Sequence, residues 1–406
     1  MDWPRVYLAL DNCFASKRWT RPREWAQIAR DLGIAYVEAS ADTECDPLYT
    51  TPEYLEDWIA EVQAAEKETG VKIANLYSGH GTYATLGLAH TDSRVRRRML
   101  DGWLKVMART AGRLGAGLGF FCHAFPDATL QDREAYLCAE GDLIASLAEL
   151  AAAAAGFGVA TAGVEQMYTP SQIPWTLEGA ARLLQQVCER SRQAFYITVD
   201  TGHHVGQRRF QRPGYGRLKE ALKQRRHGSD PGDLWLGPRS AYRLFEEALA
   251  RPPVEEDVYI RRLEQEMDAY PHLFAAYEDG DPYLWLERLG CYSPIIHLQQ
   301  TTGRSSAHLP FTLEHNQSGV IQAERVLQAL AAAYAKEPDA GLPPRCRRVY
   351  LTLEIFAATV DMPCEILQRL AESVRYWRTY VPEDGLVLGE LPSIQEDHSA
   401  RTAEAL

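Results

Sequence analysis

Four residues able to bind a cation stand at or near the ends of short apolar, β-branched runs. They are Glu165 after Gly163-Val164, Asp200 closing Tyr196-Ile197-Thr198-Val199, His297 after Pro294-Ile295-Ile296, and Glu354 closing Val349-Tyr350-Leu351-Thr352-Leu353. Such runs read as buried parallel strands, which present functional groups at their C-terminal ends. Three carboxylates and an imidazole delivered this way form a mixed oxygen and nitrogen donor set for a divalent ion: Mn2+, Mg2+ or Co2+, with Zn2+ also admissible. Without a cation, burying several carboxylates together is costly. A metal held there polarises a carbonyl, and a carboxylate beside it moves a proton. The pattern points to a metal-dependent enzyme.

Positioning those groups requires strands. Short apolar runs at Val6–Leu10, Tyr36–Ala39, Lys72–Tyr77, Leu118–His123, Ala162–Gln166, Tyr196–Asp200, Ile295–Leu298 and Val349–Glu354 alternate with amphipathic stretches at Pro22–Leu32, Pro52–Thr69, Ser93–Leu114, Gln131–Ala155, Leu177–Ser191 and Ala323–Ala335. Pro52 at a first turn and Thr176 ahead of Leu177-Glu178 are helix-start signals. Eight β/α units predict an α/β fold of the closed (β/α)8 TIM-barrel type, with its site at the C-terminal strand ends. A doubly wound open sheet is the alternative, but the first strand is not followed by Gly-x-Gly-x-x-Gly. Spacing is uneven: Asp200 to His297 is 97 residues (297 − 200), far beyond one unit. The excess, 205–278, reads as an insertion after strand 6, of the kind that forms a lid or a binding platform. Residues 1–392 are expected to form one barrel domain, and the polar 393–406 a disordered tail.

The chain of 406 residues is 46% hydrophobic and 24% charged, with a net charge of −12 that argues against a broad nucleic-acid surface. Eight cysteines occur without a CxxC or zinc-knuckle spacing and read as reduced thiols of a cytoplasmic protein. The N-terminal residues lack a signal-peptide layout, and the longest apolar stretch, around Leu147 to Ala155, is too short and too interrupted to cross a membrane.

Around the four ligands lie polar loops. Val199-Asp200-Thr201-Gly202-His203-His204 sets an imidazole beside a strand-end carboxylate, so His203 is a candidate contact for a substrate hydroxyl or an orienting group. His297-Leu298-Gln299-Gln300-Thr301-Thr302-Gly303-Arg304 offers Gln299 and Arg304 for hydroxyls or a phosphate. The cations of 206–212 are further phosphate contacts or a solvated face. His80 and His123, after the third and fourth strands, belong among pocket-lining residues. No Gly-x-Ser-x-Gly elbow marks a catalytic serine.

With Val164-Glu165 and the downstream Pro170 and Thr176, Asp200-Thr201-Gly202-His203, His297 with Arg304, and Leu353-Glu354, the chain resembles the xylose isomerase-like TIM-barrel family of sugar-phosphate isomerases and epimerases, D-tagatose 3-epimerase and endonuclease IV. The resemblance spans residues 5–380 apart from the insertion. It implies Glu165, Asp200, His297 and Glu354 as metal ligands, Glu165 and Glu354 as the acid/base pair, and His203 on a substrate oxygen. Arg304 would position the second half of the site, although it stands one residue from its expected place. Relatives of this kind form dimers or tetramers, so a homo-oligomer is expected.

These groups support proton removal beside a ketose carbonyl to give a metal-stabilised enediolate. Return of a proton from the opposite face gives an epimer, and transfer between adjacent carbons on one face gives an aldose. The substrate expected is a sugar or sugar phosphate. Two other chemistries use the same barrel: a metal-dependent decarboxylase or lyase of an oxidised sugar, and an endonuclease IV-like phosphodiesterase. The latter is disfavoured by the negative charge and by the lack of ligands for three metals.

Overall fold

The computed structural model describes residues 2–78, 85–392 and 394–395. Eight parallel strands run β1 Arg5–Asp11, β2 Tyr36–Ser40, β3 Lys72–Ser78, β4 Gly117–Phe120, β5 Gly163–Glu165, β6 Tyr196–Asp200, β7 Ile295–Leu298 and β8 Arg348–Leu353. Their order is β4-β3-β2-β1-β8-β7-β6-β5, and a parallel bridge between Leu118 and Ala162 joins the two ends. The sheet is therefore a (β/α)8 barrel, as expected. A short strand, Leu386–Val387, pairs antiparallel with the start of β1. Among the described residues no helix is long and apolar enough to cross a membrane.

Register decides which side chains meet inside. Side chains alternate between faces along a strand, so paired residues and those two steps away share a face. Asp200 pairs with His297 and Glu165 with Thr198, while His297 pairs with Thr352, two residues before Glu354. Continuing round the barrel, Ala9 pairs with Thr352, Asp11 with Glu38, and Glu38 with Asn75. One interior layer thus gathers Glu165, Asp200, His297, Glu354, Asp11, Glu38 and Tyr77. Gly117 and Gly119 of β4 make room for it: an added Cβ would lie 2.5 Å from Asn75 Oδ1 at Gly117 and 2.9 Å from Asn75 Nδ2 at Gly119.

The outer layer is helical, and its inward faces bury Trp25, Trp58, Trp103, Trp285 and Trp377. Helix Pro52–Thr69 begins with Thr51 accepting a hydrogen bond from Tyr54 N and stops at Gly70, whose φ is 79°. Thr176 caps helix Leu177–Ser191 by accepting from Gly179 N, as the sequence predicts. Most expected bounds hold to within one residue, and three elements depart further or change form. The fourth strand ends at Phe120 rather than His123, which takes φ 64° and leaves the extended conformation. Helix Gln131–Ala155 begins at Arg133, because Asp132 caps it through Glu134 N and Ala135 N. Ser93–Leu114 is helical throughout, but Leu100–Leu104 is a π-helical turn within it.

Between β6 and β7 the chain folds into helices. Tyr215–Arg226, Arg239–Leu249 and Glu256–Asp268 pack on one another through Leu218, Leu222, Phe245, Ile260 and Leu263. Asp279 ties this segment to the barrel, accepting from Leu177 N and Ala276 N, each at 2.7 Å. Of the tail expected over 393–406, Ile394 and Gln395 are described, and Ile394 is buried.

Candidate metal centre

Glu165 ends β5, Asp200 ends β6, His297 lies on β7, and Glu354 follows β8 directly. One donor atom from each falls within 4.8 Å of the others, and all four residues are buried. Asp11, Glu38 and the same His297 form a second such group. The imidazole stands between the two: Nδ1 is 2.8 Å from Glu165 Oε1 and 3.4 Å from Glu354 Oε2, and Nε2 is 2.8 Å from Glu38 Oε2.

Hydrogen bonding differs on the two sides. Glu38 Oε1 accepts from Asn75 Nδ2 at 2.6 Å, and Asp11 Oδ1 accepts from Cys13 N at 2.6 Å. Across the ring, Glu354 Oε2 is buried with no hydrogen-bond partner among the described residues, and so is His308 Nδ1. These two atoms are 3.2 Å apart without hydrogen-bond geometry. A buried carboxylate oxygen without a donor is costly, and a cation among Glu165, Asp200, His297 and Glu354 relieves it. The donor set fits a divalent ion, which Glu165, Asp200, Glu354 and the Nδ1 side of His297 would hold, with Glu38 next to Nε2.

The electrostatics follow from burial. Burial alone disfavours a charged His297, but Glu354, Glu38 and Glu165 overcome it and raise the imidazole well above its ordinary range. Glu354 is raised by burial, with His297 and His308 opposing. Burial also opposes ionisation of Asp200, yet His203, His308 and His297 bring it down to about 2. His308 is lowered by burial and raised more strongly by Glu354, reaching about 9.

The remaining residues singled out from sequence occupy different places. His203 Nδ1 is 2.7 Å from the Gln166 carbonyl, which only accepts, so this nitrogen carries the proton. Its Nε2 lies 3.7 Å from Asp200 Oδ2, at the edge of the cluster. Gln299 is fully buried, and its amide nitrogen donates to both Asp200 oxygens at 2.9 and 3.0 Å, which fixes that carboxylate. Its Oε1 accepts from His308 N at 2.8 Å and from Ser306 Oγ at 3.2 Å, fixing the loop beyond β7. Arg304 is exposed on that loop. His123 is buried with its ring against Phe121, Trp103 and Gly87. His80 lies outside the described residues.

Four residues of the cluster were not foreseen. Asp11 ends the first apolar run and obeys the same strand-end rule as the ligands. Glu38 sits inside its run and is reached only through register. Tyr77, whose hydroxyl donates to Glu165 Oε2, and His308, stacked on Phe356 at 3.8 Å, carry no local signal.

The model of the xylose isomerase-like TIM barrel matches residues 26–230. D-erythrulose 1-phosphate 3-epimerase of Brucella abortus is 31% identical over 105 residues, 26% of this chain and 30% of that protein, so the match spans under a third of the relative's length. A putative xylose isomerase from Rhodospirillum rubrum superposes with a TM-score of 0.65 at 18% identity, over 92% of this chain and 99% of that one. D-psicose 3-epimerase from Clostridium cellulolyticum gives 0.51 at 12% identity, over 92% and 98%. At such identities these superpositions establish a shared fold.

Proposed function

The chain belongs to the xylose isomerase-like TIM-barrel family, and on that premise we propose that its barrel mouth is a divalent-metal site for epimerising or isomerising a ketose or ketose phosphate. The observation that carries the reading is the convergence of Glu165, Asp200, His297 and Glu354 within 4.8 Å, with one carboxylate oxygen lacking a donor. A divalent ion bound there supplies Lewis-acid polarisation of the carbonyl and its neighbouring hydroxyl.

The protein's own groups handle the proton. Strand order places β5 and β8 on the flanks, with β6 and β7 between them. A substrate seated over Asp200 and His297 therefore meets Glu165 on one side and Glu354 on the other. One glutamate removes the proton on the carbon beside the carbonyl, leaving an enediolate. The other returns a proton to the opposite face and inverts the centre. His203, its Nδ1 bonded to the Gln166 carbonyl, turns Nε2 toward the cluster, where a substrate hydroxyl would meet it. Both transfers by one glutamate would give aldose–ketose isomerisation instead.

Proton NMR of the metal-reconstituted protein in D2O, with a panel of ketoses and ketose 1-phosphates, tests this. Deuterium is expected at the carbon beside the carbonyl, together with an epimer or isomer. Carbon dioxide release without exchange would transfer the site to lyase chemistry. Absence of exchange across the panel would contradict the reading.

A further inference from the structure

Beside the acidic barrel mouth lies a cavity of about 820 Å3 with the opposite character. Arg208, Arg209, Arg212, Arg217 and Arg304 line it, with Asp233 the one carboxylate among its lining residues. In a chain of net charge −12 this is a local reversal of sign. We propose that this cavity binds the phosphate of a phosphorylated ketose, so that the substrate class is a sugar phosphate ester. The proposal rests on the metal-site reading above and narrows its substrate.

Two of the arginines are fixed by backbone carbonyls, with no carboxylate to neutralise them. Arg208 Nε donates to the Gly280 carbonyl at 2.9 Å, and Arg217 Nη2 donates to the Pro231 carbonyl. A backbone carbonyl orients a guanidinium and leaves its full charge for a ligand. Arg212 pairs through Nη2 with Asp268 at 2.7 Å, while its Nε is buried with no partner among the described residues. Arg209 is only 3.7 Å from Asp233, with both side chains largely exposed, a weak pairing. Arg304 has no ion pair or hydrogen bond from its side chain among the described residues. A phosphate monoester, carrying nearly two charges and three acceptor oxygens near neutral pH, matches such donors.

Topology connects the cavity to the chemistry. Arg208 and Arg212 follow the end of β6, which bears Asp200, and Arg304 follows the end of β7, which bears His297. Both segments therefore leave the C-terminal face of the barrel, where the metal ligands lie. At the turn between the two, Gly303 takes φ 80°, and an added Cβ there would sit 3.7 Å from Arg208 Nη1. The base of the Arg304 loop is pinned to the metal centre through Gln299, which bonds both Asp200 and Ser306. A sugar phosphate bound as proposed would lie across this rim, its carbonyl end toward the metal ligands and its phosphate toward the arginines.

Calorimetric titration of the full-length, Mg2+-loaded protein with inorganic phosphate tests the cavity itself. Arg304→Ala is exposed and Arg208→Ala interrupts one backbone contact, so both are compared separately with the wild type, with circular dichroism as the folding check. Each is expected to weaken phosphate binding roughly ten-fold or more, the size of one charge-assisted hydrogen bond. Equal affinity in wild type and both folded variants, or no binding by the wild type, overturns the proposal. In parallel, deuterium exchange is followed with a ketose and its 1-phosphate. Exchange into the ketose with no phosphate binding removes the cavity assignment and leaves the metal-site reading intact. Phosphate binding lost in the variants, without exchange into either compound, supports the cavity and removes the epimerase reading.

Discussion

One imidazole, His297, faces carboxylates on both of its nitrogens, and the two sides of the barrel treat their carboxylates differently. On the β1–β2 side, Asp11 and Glu38 already accept short hydrogen bonds from Cys13 N and Asn75. On the β5–β8 side, Glu354 keeps a buried oxygen with no donor, and the residues around it come from loops as well as strands. The first side is a wall hydrogen-bonded through Cys13 N and Asn75; on the second, Tyr77 and Gln299 hold Glu165 and Asp200, while Glu354 keeps one oxygen without a hydrogen-bond donor among the described residues. The same residue types thus serve two purposes, and the open oxygen of Glu354 marks the side proposed to hold the cation.

Substitutions on the two sides should separate these roles. The largest effect is expected on the ligand side: Glu165→Gln or Glu354→Gln should slow solvent-deuterium exchange into substrate by about 10²–10⁴-fold, with circular dichroism unchanged. Wild-type exchange in either variant would remove that residue from the acid/base pair. On the wall side, Glu38→Gln should weaken metal binding by about 10–100-fold through loss of the charge that orients His297, read by calorimetry. An unchanged metal affinity would make Glu38 a bystander.

Glu44 offers a third case, a buried carboxylate served only by neutral donors. Trp25 Nε1 and Asn12 Nδ2 bond its Oε1 at 2.6 and 3.3 Å, yet burial outweighs them and raises its pKa to about 8. The folded state therefore holds this proton more tightly than the unfolded chain. Its stabilising contribution is complete below the ordinary value of 4.5 and is lost as pH rises through about 8. Glu44→Gln should flatten that part of the denaturation profile and stabilise the protein at pH 8–9, by a few kcal/mol at most. The same slope in wild type and variant would show that Glu44 is ionised in the fold.

The convergence of Glu165, Asp200, His297 and Glu354 was legible because each closes or nearly closes an apolar run, and parallel strands deliver side chains to one mouth. The eight strands were legible for the same reason. The wall was harder to read. Glu38 looks like one polar residue within a strand until the pairing of Asp11 with Glu38, and of Ala9 with Thr352, sets it in the ligand layer. His308 reaches Glu354 only because Gln299 folds the loop beyond β7 back over Asp200. His123 resembled a pocket residue by position, but its left-handed backbone turns it into aromatic packing. Local sequence records strand ends well, and register and loop return only through the assembled barrel.

The most direct test is anomalous diffraction from crystals soaked in Mn2+. The account predicts one strong peak coordinated by Glu165, Asp200, His297 Nδ1 and Glu354, with Glu38 still bonded to Nε2. A peak among Asp11, Glu38 and His297 Nε2 in its place, or no peak at saturating metal, would contradict it.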